Sequence, residues 1–117
     1  RTKLEVALKG STGPRVPAPV EFAIYRIVHE ALTNINKHAE ASRALIQIRR
    51  PSKPRLTCSI RDDGIGFDVA RVQSAGIRRG LGLPGIQERV KALDGAMEVK
   101  SCRGSGTEIL VQIPLGS

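Results

Sequence analysis

The sequence has few aromatic residues, few cysteines and no long apolar run. Aromatic residues make up 3% of its 117 residues, so we expect a core built from Val, Ile, Leu and Ala side chains. The two cysteines, Cys58 and Cys102, exclude a disulfide scaffold and are typical of a reduced, cytoplasmic protein. No apolar run approaches the roughly 20 residues of a membrane helix, and no signal-peptide pattern is present. The length suits a single domain, 1–117, which we expect to be a fragment of a larger protein.

Acidic residues are also few. The sequence has 11 of them and 19 basic residues, which gives a formal net charge of +8. A basic surface suits an anionic partner, although it is also compatible with an ordinary solvated surface. Nucleic-acid binding by base stacking is not expected, because only three aromatic side chains are available. Six of the basic residues form three small groups, Arg49 with Arg50, Lys53 with Arg55, and Arg78 with Arg79.

Hydrophobic periodicity predicts an α+β fold, a two-layer sandwich with a mixed, mostly antiparallel sheet covered by helices on one face. The strongest helix pattern begins near Pro19, which a first helical turn tolerates, and the second helix is predicted to stop at Gly95. The predicted strands are 4–9, 43–50, 55–62, 96–102 and 107–114, and the predicted helices are 20–38 and 83–94.

Gly80, Gly82 and Gly85 have the G-x-G-x-x-G spacing that seats a pyrophosphate in dinucleotide-binding folds. That fingerprint needs a strand immediately before it, which is missing here, and a P-loop needs a lysine, which is also missing. Glycines before a helix still expose backbone N–H groups to an anion. The segment is therefore an anion cradle or an ordinary flexible loop.

Glu30, Asn34 and Lys37 are spaced so that they share one face of the first predicted helix. Carboxylate and amide oxygens suit Mg²⁺, and an ammonium group suits a phosphate. A solvated helix face explains the same pattern. A second polar stretch, "RDDGIGF", places Asp62 and Asp63 at a strand end. A buried carboxylate there would accept a hydrogen bond from an exocyclic amine, whereas the alternative is a common Asp-Gly turn.

Four motifs in order resemble one family, the ATP-binding domains of sensor histidine kinases, over residues 22–114. The closest resemblance is to the nitrate-sensor and desaturase-regulator subgroup, in which Glu rather than Asn opens the first motif. The implied fold is the Bergerat sandwich that is shared with type II topoisomerases and a mismatch-repair ATPase. The motifs are "EALTNINKHA" for the asparagine box, "DDGIGF" and "GLGLPGIQER" for two glycine boxes, and "GSGTEILVQIP" for the terminal Gly-Thr strand.

The resemblance implies an adenine site in which Asp62 accepts the amino group and Gly66 lies beneath the ring. Gly64 would line the same site, and Thr107 would join it through a water molecule. The span 68–79 would be a flexible lid over bound ATP.

The resemblance also implies a phosphate site with Mg²⁺. Asn34 would bind the metal, and Glu30 would help to order the metal or a water molecule and act in catalysis. The remaining phosphate contacts would come from Lys37, His38, Gly80, Leu81 and Gly82. Leu81 departs from the His that is frequent in the family, and His29 replaces a frequent Gln, so the contacts of both are open.

The implied activity is transfer of the γ-phosphoryl group of Mg-ATP to a histidine on a separate dimerisation domain, because His29 and His38 are poorly placed as acceptors. A response regulator would be an indirect partner, and nucleic acid is not expected. The parent kinase would be a cytoplasmic or membrane-attached homodimer, and the isolated domain a monomer. The alternatives are a related ATPase or serine protein kinase, and a non-catalytic module that senses nucleotide.

Overall fold

The structure is a computed structural model, and it describes residues 4–10, 16–36, 40–52, 55–66 and 83–115. The predicted features outside the described residues are Lys37, His38, Gly80, Leu81, Gly82 and the lid at 68–79.

The described strands form one five-stranded sheet with the order β1-β2-β3-β5-β4. Only β1 and β2 pair in parallel, while the other neighbouring pairs are antiparallel. The predicted mixed, mostly antiparallel sheet is therefore confirmed. The elements are β1 (Glu5–Gly10), α1 (Ala18–Asn34), β2 (Arg43–Ser52), β3 (Arg55–Asp62), α2 (Leu83–Ala92), β4 (Ala96–Ser101) and β5 (Thr107–Pro114).

The core lies between one face of the sheet and the two helices. Alternate residues of β3 and β5 point towards the helices, as the period of a strand requires. The core is aliphatic as expected, and the rings of Phe22 and Tyr25 are exposed. Burial raises the pKa of the Cys58 thiol to about 12, so this cysteine behaves as a small apolar residue. The buried apolar residues are Val20, Ile24, Ile27, Ala31, Ile35, Ala44, Ile46, Leu56, Cys58, Ile60, Ile86, Val90, Ile109, Val111 and Ile113.

Helix α1 begins one residue before Pro19, as the sequence indicates, and continues through Asn34. It is followed by a π-helical turn at residues 35 and 36, and the predicted continuation to 38 lies outside the described residues. Neither of the described helices is long and apolar enough to cross a membrane.

Helix α2 ends at Ala92, two residues before the predicted end at residue 94. Asp94, not Gly95, adopts the left-handed conformation, with φ of 59°. The N–H of Gly95 donates to the carbonyl of Val90 at 2.9 Å, and the N–H of Asp94 donates to the carbonyl of Lys91 at 2.9 Å. These two bonds form a Schellman motif, in which Asp tolerates the left-handed position. Gly95 is needed for close packing, because a Cβ there would contact the carbonyl oxygen of Gln112 at 2.6 Å.

Candidate functional site

Asp62 ends β3 and is a buried charged residue, with 6% of its surface exposed. The alternation of β3 that buries Leu56, Cys58 and Ile60 also points Asp62 towards the helices. Its neighbour across the sheet is Thr107 at the start of β5. The core of the sandwich therefore ends in a carboxylate that lies beside a hydroxyl-bearing residue.

The Asp62 carboxylate is held in a partly dehydrated position by backbone groups. Burial raises its pKa above the ordinary value, and the nearby charge of Asp63 acts in the same direction. Backbone hydrogen bonds from Gly64 and Thr107 oppose this rise, and the Gly64 N–H donates to Oδ1 at 2.8 Å. A buried carboxylate that backbone hydrogen bonds hold in place is suited to accept a further hydrogen bond from a ligand.

The polar contacts of Asp62 and Thr107 extend across the sheet to β4. Ser101 pairs in register with Thr107, and their hydroxyl oxygens lie 2.7 Å apart. The Ser101 hydroxyl also donates to the carbonyl of Gly106 at 3.0 Å. The Thr107 side chain is therefore oriented by Ser101, a partner that the sequence motifs did not suggest.

Asp63 has a structural role that separates it from Asp62. Its Oδ1 accepts the backbone N–H groups of Ser42 and Arg43 at 2.8 and 2.9 Å. The hydrogen bond from Arg43, followed by that from Ser42, lowers the pKa of the Asp63 carboxyl. The first aspartate of the pair thus faces the candidate site, whereas the second ties the end of β3 to the start of β2.

The glycine segment after Asp63 packs on the turn between β4 and β5. Gly66 has φ of +66°, and a Cβ there would overlap the carbonyl oxygen of Cys102. The N–H of Gly104 donates to the carbonyl of Ile65 at 2.6 Å, which fixes the two segments together. The segment 64–66 is consequently a fixed backbone wall beside Asp62.

Gly106 lies beside this wall and packs on the end of β3, a role that is not evident from the sequence. Its φ is +79°, and a Cβ there would overlap the carbonyl oxygen of Asp62. The available signal was its place directly before Thr107 in "GSGTEILVQIP". What the sequence could not supply is the close approach of this turn to β3.

Glu30 and Asn34 lie one helical turn apart on α1 and are both half-buried. The Nε of Arg89 on α2 donates to Oε1 of Glu30 at 3.4 Å. The other oxygen lies against Gly85, where a Cβ would overlap it. Glu30 is thus tied to the second helix, through partners that the sequence analysis did not identify.

Asn34 has no hydrogen bond from its side chain to any residue in the described ranges. One amide oxygen and one carboxylate oxygen on adjacent turns fit Mg²⁺, which takes its remaining ligands from phosphates and water. The described residues contain no group of three His, Cys, Asp or Glu side chains able to hold a metal by themselves. The donor set therefore suits a metal that arrives with a phosphate ligand.

His29 is exposed and stacks on Tyr25, with ring centroids 6.4 Å apart. Its ring is thus engaged on the outer surface of α1. Of the predicted site residues that are described, Asp62, Gly64, Gly66 and Thr107 come together at one end of the sheet. Glu30 and Asn34 form the second group on α1.

Residues 20–117 match the model of the family described as histidine kinase-, DNA gyrase B-, and HSP90-like ATPase. Three similar curated proteins are histidine kinases. An uncharacterized sensor-like histidine kinase of Chloroflexus aurantiacus is 38% identical over 88% of this chain, and the kinase/phosphatase DegS of Brevibacillus brevis is 39% identical over 88%. The sensor histidine kinase YdfH of Bacillus subtilis is 42% identical over 78%. The chain spans only 17%, 25% and 22% of the lengths of these three proteins.

Solved structures show the same fold. The histidine kinase domain of the blue-light activated kinase EL346 from Erythrobacter litoralis aligns with a TM-score of 0.75 and 26% identity. That alignment covers 98% of this chain and 56% of the other. Full-length ShkA in complex with AMPPNP aligns with a TM-score of 0.77 and 26% identity, covering 97% of this chain and 26% of ShkA. The predicted Bergerat sandwich is confirmed.

Proposed function

We propose a function for a chain that belongs to the histidine kinase-, DNA gyrase B-, and HSP90-like ATPase family: it binds Mg-ATP and transfers the γ-phosphoryl group to a histidine on a separate dimerisation domain. The chain is the ATP-binding catalytic domain of this kinase. The observation that carries the proposal is Asp62, a buried carboxylate at the end of β3 beside a wall of glycine backbone.

Asp62 selects adenine in this proposal. Its carboxylate accepts a hydrogen bond from the adenine amino group, and it would repel guanine, which presents a carbonyl oxygen at the same position. In this proposal the backbone of Gly64 and Gly66 lies beneath the ring, and glycine at residue 66 permits the close contact of this backbone with Cys102. Thr107, oriented by Ser101, holds a water molecule between the protein and the base.

Asn34 and Glu30 mark the phosphate end of the site. Asn34 would bind Mg²⁺ through its amide oxygen, and Glu30 would order the metal or its water. The bound metal would neutralise charge on the phosphates. Lys37, His38, Gly80, Leu81 and Gly82 supply the other phosphate contacts in the proposal, and 68–79 closes over the nucleotide.

The transfer forms a bond between a ring nitrogen of the acceptor histidine and the γ-phosphorus. The bond from the γ-phosphorus to the β–γ bridging oxygen breaks, and ADP leaves with that oxygen. The proton on the other ring nitrogen passes to solvent water. Catalysis is mainly positioning and charge neutralisation, so the acceptor must be brought in line by a separate domain.

The finer assignment is to the nitrate-sensor and desaturase-regulator type of kinase, supported by Glu30 at the start of the asparagine box. In this proposal the parent is a cytoplasmic or membrane-attached homodimer, and its phosphoryl group passes on to a response regulator. The isolated domain is a monomer.

Calorimetric titration with Mg-ATP, Mg-GTP and ADP tests the binding half of the proposal. We expect saturable binding of ATP and ADP and poor binding of GTP. Asp63→Asn is the matched control for Asp62→Asn, because it removes the same charge from the adjacent residue outside the site. Equal affinity for ATP and GTP would overturn the assignment of Asp62, and saturable binding without any phosphoryl transfer would favour a nucleotide-sensing module.

A further inference from the structure

The two helices of the domain meet through Glu30, Gly85 and Arg89. Gly85 and Arg89 are four residues apart and therefore lie on one face of α2, towards α1. Arg89 Nε donates to Oε1 of Glu30 at 3.4 Å, while Oε2 fills the space that a side chain at residue 85 would occupy. One carboxylate thus contacts two successive turns of the second helix.

This carboxylate also lies beside the first turn of α2. The first turn of α2 contains no acidic residue, although the amino end of a helix carries free N–H groups and partial positive charge. Glu30 brings a negative charge to that turn from the neighbouring helix. Glycine at residue 85 is what permits the close approach.

The pair differs from an ordinary surface ion pair, which contributes little to stability. The side chains of Arg89 and Glu30 are 34% and 30% exposed, so most of each is shielded from water. Ile86 and Val90, on the same helix, are fully or nearly fully buried in the core. Arg89 therefore projects from a helix whose position is fixed by packing. Its guanidinium is held beside the Glu30 carboxylate.

We propose that Arg89 is a positioning residue for Glu30, with Gly85 providing the space in which the carboxylate is held. This inference rests on the proposed function, in which Glu30 orders the metal or its water. By fixing one oxygen of Glu30, Arg89 restricts the carboxylate to one orientation relative to Asn34 and the start of α2. Arg89 itself makes no contact with the nucleotide in this proposal.

The first test is a steady-state comparison of variants in transfer to the dimerisation domain. Arg89→Ala should lower kcat by about tenfold and leave the KM for ATP within about twofold, because it disturbs orientation rather than adenine binding. Arg89→Lys should recover part of the loss, because it keeps the charge but not the planar donor geometry. Lys91→Ala is the matched control, since it removes a basic residue from an exposed position of the same helix.

A double variant separates positioning from direct action on phosphate. If Arg89 acts only through Glu30, Glu30→Gln with Arg89→Ala is no slower than Glu30→Gln alone. A further loss of about tenfold in the double variant would mean that Arg89 acts directly, and the inference would be wrong. An increase in KM with unchanged kcat would contradict it equally.

A measurement on the nucleotide-free chain keeps the inference independent of activity. The ¹³C signal of the Glu30 carboxyl carbon should move in Arg89→Ala and in Gly85→Ala, and should stay in place in Lys91→Ala. Gly85→Ala is informative because alanine favours a helix more than glycine does, so propensity alone would stabilise α2. An unchanged signal in both variants would overturn the contact. Absence of transfer in the parent chain, with the signal moving as expected, would instead refute the proposed function and leave the contact intact.

Discussion

Asp62 and Asp63 are adjacent along the chain, yet the pKa values of their carboxyl groups are shifted in opposite directions. Burial raises the pKa of Asp62, whereas hydrogen bonds from the backbone of Arg43 and Ser42 lower that of Asp63. The ionised form of Asp63 therefore stabilises the fold, and the ionised form of Asp62 costs stability. A charge kept at a cost in stability, at the end of the core, indicates a site that a ligand uses.

Replacing Asp62 should weaken ATP binding and strengthen the empty domain. A hydrogen bond to a charged group contributes roughly 1.5–3 kcal/mol, so Asp62→Ala should lower ATP affinity by about ten- to a hundredfold. Asp62→Asn removes the buried charge and keeps an acceptor oxygen for Gly64, so its melting temperature without nucleotide should rise. Calorimetry and thermal unfolding measure the two effects. A lower melting temperature with unchanged ATP affinity would contradict both parts.

The affinity for ATP should fall in acid as Asp62 takes up a proton. Because the pKa of Asp62 is raised, this loss begins above the ordinary value of 3.8, as the pH falls through the raised pKa. The stabilisation from Asp63 has a different window, because its pKa is lowered and its contribution disappears only below 3.8. The ratio of the affinities of the parent and Asp62→Asn cancels titration of the nucleotide phosphates. A ratio that stays constant with pH would count against Asp62 as the adenine acceptor.

The sequence predicted the elements because those features depend on local patterns. Alternation in β3 and β5 and the helical spacing of α1 predict the elements from neighbouring residues alone. Asp62, placed at the end of an alternating strand, could be expected to be buried. The exact end of α2 was missed, because Asp and Gly both accept the left-handed position and only packing against Gln112 decides between them.

Two glycines of the turn between β4 and β5 should respond differently to substitution. Gly104 and Gly106 both have positive φ, of 84° and 79°. A Cβ on Gly104 would meet nothing within 4 Å, so Gly104→Ala should cost only backbone strain, about 1–2 kcal/mol. Gly106→Ala should cost more and also reduce ATP affinity, because its Cβ would displace the Asp62 carbonyl. Urea unfolding and calorimetry compare them, and equal effects from the two variants would refute the role of Gly106.

Asn34→Ala should remove the dependence of ATP affinity on Mg²⁺ while leaving binding without metal at the parent level. The amide oxygen of Asn34 is the proposed ligand, and adenine binding is carried by Asp62 at the other end of the site. Asn34→Asp keeps an oxygen donor and is the matched control, in which the dependence on Mg²⁺ should persist. If Asn34→Ala gains affinity on adding Mg²⁺ as the parent does, Asn34 is not a ligand.

The contacts of Glu30 show why the sequence alone could not predict which residues surround it. Its spacing from Asn34 correctly indicated a shared helix face, but nothing in that spacing identifies Arg89, 59 residues further along the chain, as its partner. The spacing of Gly85 from Gly80 and Gly82 likewise does not indicate that Gly85 gives space to the Glu30 carboxylate. Contacts between elements depend on how the helices pack, which no local pattern encodes.

The central claim is that this chain passes the γ-phosphoryl group of ATP to a histidine on another domain, and radiolabelled transfer tests it most directly. The chain is incubated with Mg²⁺ and ATP labelled on the γ-phosphate, alone and with the dimerisation domain of the parent kinase. We predict label only on the added domain, with the acid-labile and base-stable behaviour of phosphohistidine, and weak transfer because no linker holds the two parts together. Acid-labile label on this chain alone, or acid-stable label on the added domain, would contradict the claim.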